Sequence, residues 1–161
     1  MSEGADDTDR MPLGAIPRPA ASPRMGAPVV VVIEDDENVR GVLVRVLGQK
    51  YTVYVAEDGV IGIDLLLKLG TSAAALVLDV WMPRVDGISV AKRVKANPRT
   101  RHVPIVFLSA QATPREVAEG IDAGASYYVT KPFVVHDLLD KVARAIAGGS
   151  DTVGKGSASS S

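Results

Sequence analysis

Apolar residues are distributed in two alternating rhythms between residues 28 and 147. Val29–Ile33 is an unbroken β-branched run, the pattern of a strand buried on both faces. Residues 37–47 then place Val39, Val42, Leu43, Val46 and Leu47 on one stripe of a helix. Thr52–Ala56 reads as a second strand, followed by a helix with Asp58 as N-cap, apolar Ile61, Leu65, Leu66 and Leu69, and Gly70 as its stop. The third strand is expected at 75–78, with a helix over 86–96 that ends before Pro98. A fourth strand is expected at 104–108. Thr113, Pro114 and Glu116 open the next helix with a capping box and a proline at its first position. The last unit is a strand at 125–130 and a helix over 133–147, with Val135, Leu138, Val142 and Ile146 on one face.

Five strand–helix units with buried strands and short links predict an α/β fold. The expected form is a five-stranded parallel sheet with helices on both faces. Right-handed crossovers leave few topologies, and the flavodoxin-like order 2-1-3-4-5 is one of the two common ones. That order places a site at the carboxyl ends of strands 1 and 3. Residues 1–27, rich in Pro, Gly and Ala, and residues 148–161, rich in Gly and Ser, lack either rhythm. They read as flexible flanks, so trimming them should leave stability almost unchanged.

Composition narrows the chemistry. The chain of 161 residues suits one domain, and its core must rest on aliphatics because aromatics make up only 4%. It contains no cysteine, which excludes disulfides, thiolate zinc sites and thiol catalysis and suits a cytoplasmic setting. A net charge of −1 offers no basic field for nucleic acid or an acidic membrane. No apolar run is long enough to span a bilayer.

The residues at the expected strand ends are polar. Glu34, Asp35 and Asp36 follow the first strand, Asp79 the third, Ser109 the fourth and Lys131 the fifth. Singly, each has an ordinary structural explanation: an acidic helix start, a turn aspartate, a helix-entry hydroxyl, a surface lysine. Together they would converge on one edge of the sheet. Clustered carboxylates repel one another unless a cation sits among them, and hard oxygen donors select Mg²⁺ or a similar ion. An aspartate in that setting can attack phosphorus, and a lysine, a hydroxyl and a metal ion suit the charge on a transferring phosphoryl group.

These segments resemble the receiver domain of two-component response regulators. The matching stretches are VVVVIEDDENVR, LVLDVWMPRVDG, VFLSA and GASYYVTKPF. The resemblance covers the whole patterned block and is to a single-domain receiver of the chemotaxis type. It implies that Asp79 is the phosphorylated aspartate. Glu34, Asp35, Asp79 and the Trp81 backbone carbonyl would hold Mg²⁺ (or Mn²⁺). Ser109 and Lys131 would contact the phosphoryl group, and Ser109 and Tyr128 would act as the switch pair. The Lys131–Pro132 bond would be cis.

Two departures stand out. Glu34 replaces the commoner Asp, and Trp81 stands where a smaller polar side chain is usual, beside Gln111 on the path of the attacking water. The implied function is a phosphoprotein of signal transduction that takes its phosphoryl group from a histidine kinase or a histidine phosphotransfer protein. It would then act on a downstream protein, without turnover of a separate substrate as an enzyme. A phosphorelay carrier and a receiver cut from a longer multidomain regulator are the alternatives. A phosphatase on the same fold would need a second acid at Trp81, and a flavodoxin-type binder would need a phosphate-cradling loop where EDDEN stands. A receiver that binds partners without phosphorylation would not need the complete set of site residues.

Overall fold

The computed structural model describes residues 15–148. The 1–14 and 149–161 parts of the expected flexible flanks lie outside the described residues.

Five parallel strands alternate with five α-helices: β1 (Val29–Ile33), α1 (Glu37–Leu47), β2 (Thr52–Ala56), α2 (Gly59–Leu69), β3 (Ala73–Asp79), α3 (Gly87–Ala96), β4 (Ile105–Ser109), α4 (Pro114–Ala123), β5 (Ala125–Thr130) and α5 (Val135–Gly148), with a 3-10 turn at Gly70–Ser72. The spatial order is β2-β1-β3-β4-β5, as expected. Because successive strand residues point to opposite faces, the sheet divides the core in two. Val31, Ile33, Leu76, Leu78, Ile105 and Phe107 pack with α2 and α3 through Leu65, Leu66, Leu69, Val90 and Val94. Val30, Val32, Val53, Val77, Val106 and Leu108 pack on the other face with Leu43 and Leu47 of α1 and Leu138 and Val142 of α5. The inner strands β1, β3 and β4 are buried on both faces and are apolar up to their carboxyl ends, which explains the unbroken runs.

Helix starts follow the sequence signals. Asp36, Asp58, Asp86 and Thr113 are N-caps whose side chains accept main-chain N–H groups of the first turn. Asp36 is thereby explained structurally, since its Oδ1 takes the N–H groups of Asn38 and Val39.

Several boundaries need correction. β3 begins at Ala73 and ends on Asp79, and β4 runs over Ile105–Ser109. Asp79 pairs with Leu108 and Ser109 with Thr130, so the parallel ladder holds both polar residues inside the strands. The last helix starts at Val135, because Lys131 still donates its N–H to Ser109 across the sheet and the Val134 carbonyl takes the N–H of Leu138. Part of the N-terminal flank is also structured. Ala20 and Ala21 donate to the Val53 carbonyl and the Ala21 carbonyl accepts the Val53 N–H, at 2.7, 3.3 and 2.8 Å. β2 is an edge strand, and its outward main-chain groups need partners that an apolar count cannot foresee.

Candidate functional site

The carboxyl ends of β1, β3, β4 and β5 meet at one edge of the sheet. Glu34 follows β1 and continues its ladder by donating its N–H to Ala56. Its side chain is fully buried, and Asp79 is only 3% exposed. Asp35 is exposed beside them, and one carboxylate oxygen from each of Glu34, Asp35 and Asp79 lies within 4.8 Å of the others. Lys131, just past β5, extends back to the cluster. Its Nζ stands 2.9 Å from Glu34 Oε1 and 3.3 Å from Asp79 Oδ1. The Lys131–Pro132 peptide is cis, as the resemblance implied.

The main chain around Asp79 is tightly constrained. Trp81 donates its N–H to Asp79 Oδ1 at 3.3 Å, and Gly87 donates its N–H to the Val80 carbonyl at 2.8 Å. A Cβ on Gly87 would lie 2.3 Å from the Asp79 carbonyl oxygen. Only glycine lets α3 start this close to the strand end. Arg40 of α1 donates to the carbonyls of Glu34 and Asp35 at 2.8 and 3.3 Å, bracing the acidic pair from behind. The sequence reading missed that brace, because Arg40 reads there as an ordinary helix surface residue.

The electrostatics follow from this packing. Burial is the main force pushing the Asp79 carboxyl up from its ordinary value of 3.8 to about 7; the Glu34 charge adds to the rise and Lys131 opposes it. Burial pulls the Lys131 ammonium down, but its bond to Glu34 and the charges of Asp79 and Glu34 outweigh that and leave it raised. One lysine thus offsets two buried carboxylates, and the cluster stays short of positive charge. Three hard oxygen donors in this setting fit a small divalent cation.

Ser109, fully buried, ends β4 next to Asp79's strand. Its Oγ accepts the Gln111 N–H at 3.1 Å. Tyr128 is half-buried against Phe107, with ring centroids 5.3 Å apart. Its hydroxyl donates to the Glu116 carbonyl at 2.9 Å. Glu116 departs from the expected capping box. Its N–H does donate to Thr113 Oγ1, but its carboxylate accepts the Trp81 indole N–H at 2.9 Å instead of reaching back to Thr113. The Thr113 N–H is already taken by the Gln111 carbonyl.

Residues 30–143 match the response regulator receiver domain family. The chain belongs to that family. It is 38% identical over 114 residues to Response regulator MprA of Mycobacterium sp. (strain KMS), an alignment covering 70% of this chain and 48% of that protein. The receiver chain therefore spans about half the length of the curated relatives it matches. Among solved structures, a response regulator of Chloroflexus aurantiacus J-10-fl superposes with a TM-score of 0.70 at 33% identity, covering 75% of this chain and 98% of that one. The receiver domain of the sensor histidine kinase PA1611 of Pseudomonas aeruginosa PAO1, solved with magnesium in its active-site cleft, gives 0.66 at 26% identity, covering 76% and 99%. Among the described residues of this receiver, no helix is long and apolar enough to cross a membrane.

Proposed function

We propose that this receiver takes a phosphoryl group onto Asp79 from the phosphorylated histidine of a kinase or phosphotransfer protein. The observation that carries the reading is a carboxylate 3% exposed at the end of β3, with Lys131 Nζ at 3.3 Å and two further carboxylates beside it. An Asp79 carboxylate oxygen forms the new bond to phosphorus as the phosphorus–nitrogen bond breaks, and the released imidazole nitrogen takes up a proton. Lys131 offsets charge on the phosphoryl oxygens, and the Ser109 hydroxyl donates to one of them. Glu34, Asp35, Asp79 and the Trp81 carbonyl would hold Mg²⁺ (or Mn²⁺), which supplies further positive charge for the phosphoryl oxygens.

The added charge and acceptors draw Ser109 inward and shift Tyr128, changing the face formed by α4, β5 and α5. The output is then altered protein contact in the cytoplasm, with no nucleic acid bound directly and no separate substrate turned over. Labelling with acetyl phosphate tests the assignment. The wild-type chain should take up one phosphoryl group in Mg²⁺ and Asp79→Asn none. Uptake by the variant at the wild-type rate would refute it.

A further inference from the structure

Two chains of hydrogen bonds leave the phosphorylation site and meet at one residue. From Asp79 Oδ1 the first runs to the Trp81 main chain, and the Trp81 indole continues it to Glu116 Oε1 at 2.9 Å. The second runs from Ser109 Oγ to the Gln111 N–H, from the Gln111 carbonyl to the Thr113 N–H, and from Thr113 Oγ1 to the Glu116 N–H. The Glu116 carbonyl holds the Tyr128 hydroxyl at 2.9 Å. Glu116 is 6% exposed, and its Oε2 is buried with no protein partner among the described residues. Trp81 is 58% exposed, so its ring is free to leave without opening the core. A buried carboxylate with one of its oxygens unpaired carries a desolvation cost that favours letting go once a neighbour moves.

We propose that Glu116 is a positioning residue that ties the phosphorylation loop to Tyr128. Its side chain holds Trp81 and its main-chain carbonyl holds Tyr128. A phosphoryl group on Asp79 displaces Ser109 and the Trp81 loop, so both grips on the first turn of α4 loosen together. The proposal rests on the phosphoacceptor reading and adds a connection through Glu116 to it. The missing side chain at Gly120 supports the coupling, because Tyr128 fills the position a Cβ would take. A Cβ there would lie 2.5 Å from the Tyr128 ring, so the aromatic packs directly on the helix that Glu116 anchors.

The test uses beryllofluoride with Mg²⁺ as a stand-in for the phosphoryl group, read in amide and indole nitrogen–proton spectra. Trp81 is the only tryptophan, so its indole resonance is unambiguous. In the wild type, the indole signal and the amides of 126–130 should shift with a common midpoint. Glu116→Ala removes the one bond to the Trp81 indole, made only in the resting arrangement, and keeps the main-chain bond to Tyr128. Its indole should be free at the outset, its 126–130 amides should lie part-way toward the liganded positions, and beryllofluoride should bind roughly tenfold more tightly, the worth of one hydrogen bond to a charged group. Glu116→Gln keeps an acceptor for the indole and should stay within about twofold of wild type.

Trp81→Phe removes the donor and keeps the main-chain carbonyl, so it should tighten binding in the same direction even if Glu116→Ala folds poorly. A merely structural contact would lower stability in both arrangements alike. Unchanged affinity and unmoved 126–130 amides in Glu116→Ala and Trp81→Phe would therefore overturn the proposal, as would Glu116→Gln behaving like Glu116→Ala. A wild-type chain that ignores beryllofluoride would overturn the phosphoacceptor reading itself, and this connection with it.

Discussion

Replacing the nucleophile should stabilise the metal-free fold, and by an amount that depends on pH. Asp79 is nearly fully buried, and its carboxyl is pushed up to about 7, first by burial and then by the Glu34 charge. The folded state therefore holds this proton more tightly than the unfolded chain does. Stability contributed by the protonated carboxyl is complete below about pH 4 and is lost as pH rises toward 7. From the ordinary 3.8 to about 7, the loss amounts to roughly 4 kcal/mol at about 1.4 kcal/mol per pH unit. Asp79→Asn carries no charge and avoids that loss. Its amide must turn an oxygen toward Lys131 and find an acceptor for its N–H₂ group, much as the protonated carboxyl must for its O–H, so the two proteins start level in acid and the gain approaches roughly 4 kcal/mol at pH 8. Urea unfolding of both proteins with a chelator, from pH 4 to 8, measures the difference directly. The gap should be near zero at pH 4, open through pH 5–7 and level off above. Added Mg²⁺ should raise only the wild type, by about 1.4 kcal/mol per tenfold excess over its dissociation constant, and close the gap. A variant less stable than wild type at pH 8 without metal, or a gap independent of pH, would refute the account of a strained acidic cluster.

Three further outcomes follow from other parts of the molecule. Asp35→Asn should weaken Mg²⁺ binding at least tenfold by removing the charge of one of three carboxylate donors, followed through the fluorescence of Trp81; unchanged affinity would exclude Asp35 as a ligand. Arg84 has φ 72, a left-handed conformation in the loop between β3 and α3, and its contact with Asp58 is a long, exposed 3.4 Å. Arg84→Gly should therefore raise stability by about 0.5–1 kcal/mol in thermal unfolding, strain relief of about 1–2 exceeding the entropy cost of glycine. Trimming residues 1–22 removes the three main-chain bonds to Val53 and should cost about 1–2 kcal/mol by urea midpoint, since three bonds at about 1 kcal/mol each are partly offset by released ordering entropy. An unchanged midpoint would show that the bridge to β2 contributes nothing.

By itself, the sequence determined the architecture and the membership of the site. Short β-branched runs such as Val29–Ile33 suit a strand covered on both faces, and right-handed crossovers then leave few sheet orders. Polar residues directly after such runs must emerge at one sheet edge, so Glu34, Asp35, Asp79, Ser109 and Lys131 were legible as a group before any contact was known. Local signals also sufficed for the caps at Asp58 and Thr113, because capping is decided within one turn. Tertiary structure decided what depends on residues distant in the chain. Thr113 and Glu116 have the spacing of a reciprocal box, yet the Glu116 carboxylate goes to an indole 35 residues away, since the Thr113 N–H already has Gln111. Ala20 and Ala21 look like linker because their role is to satisfy main-chain groups of an edge strand, and main-chain hydrogen bonding leaves no side-chain pattern. The raised carboxyl of Asp79 also belongs to the fold: any aspartate ionises near 4 in water, and only burial beside Glu34, offset by a shared Lys131, leaves this one short of positive charge.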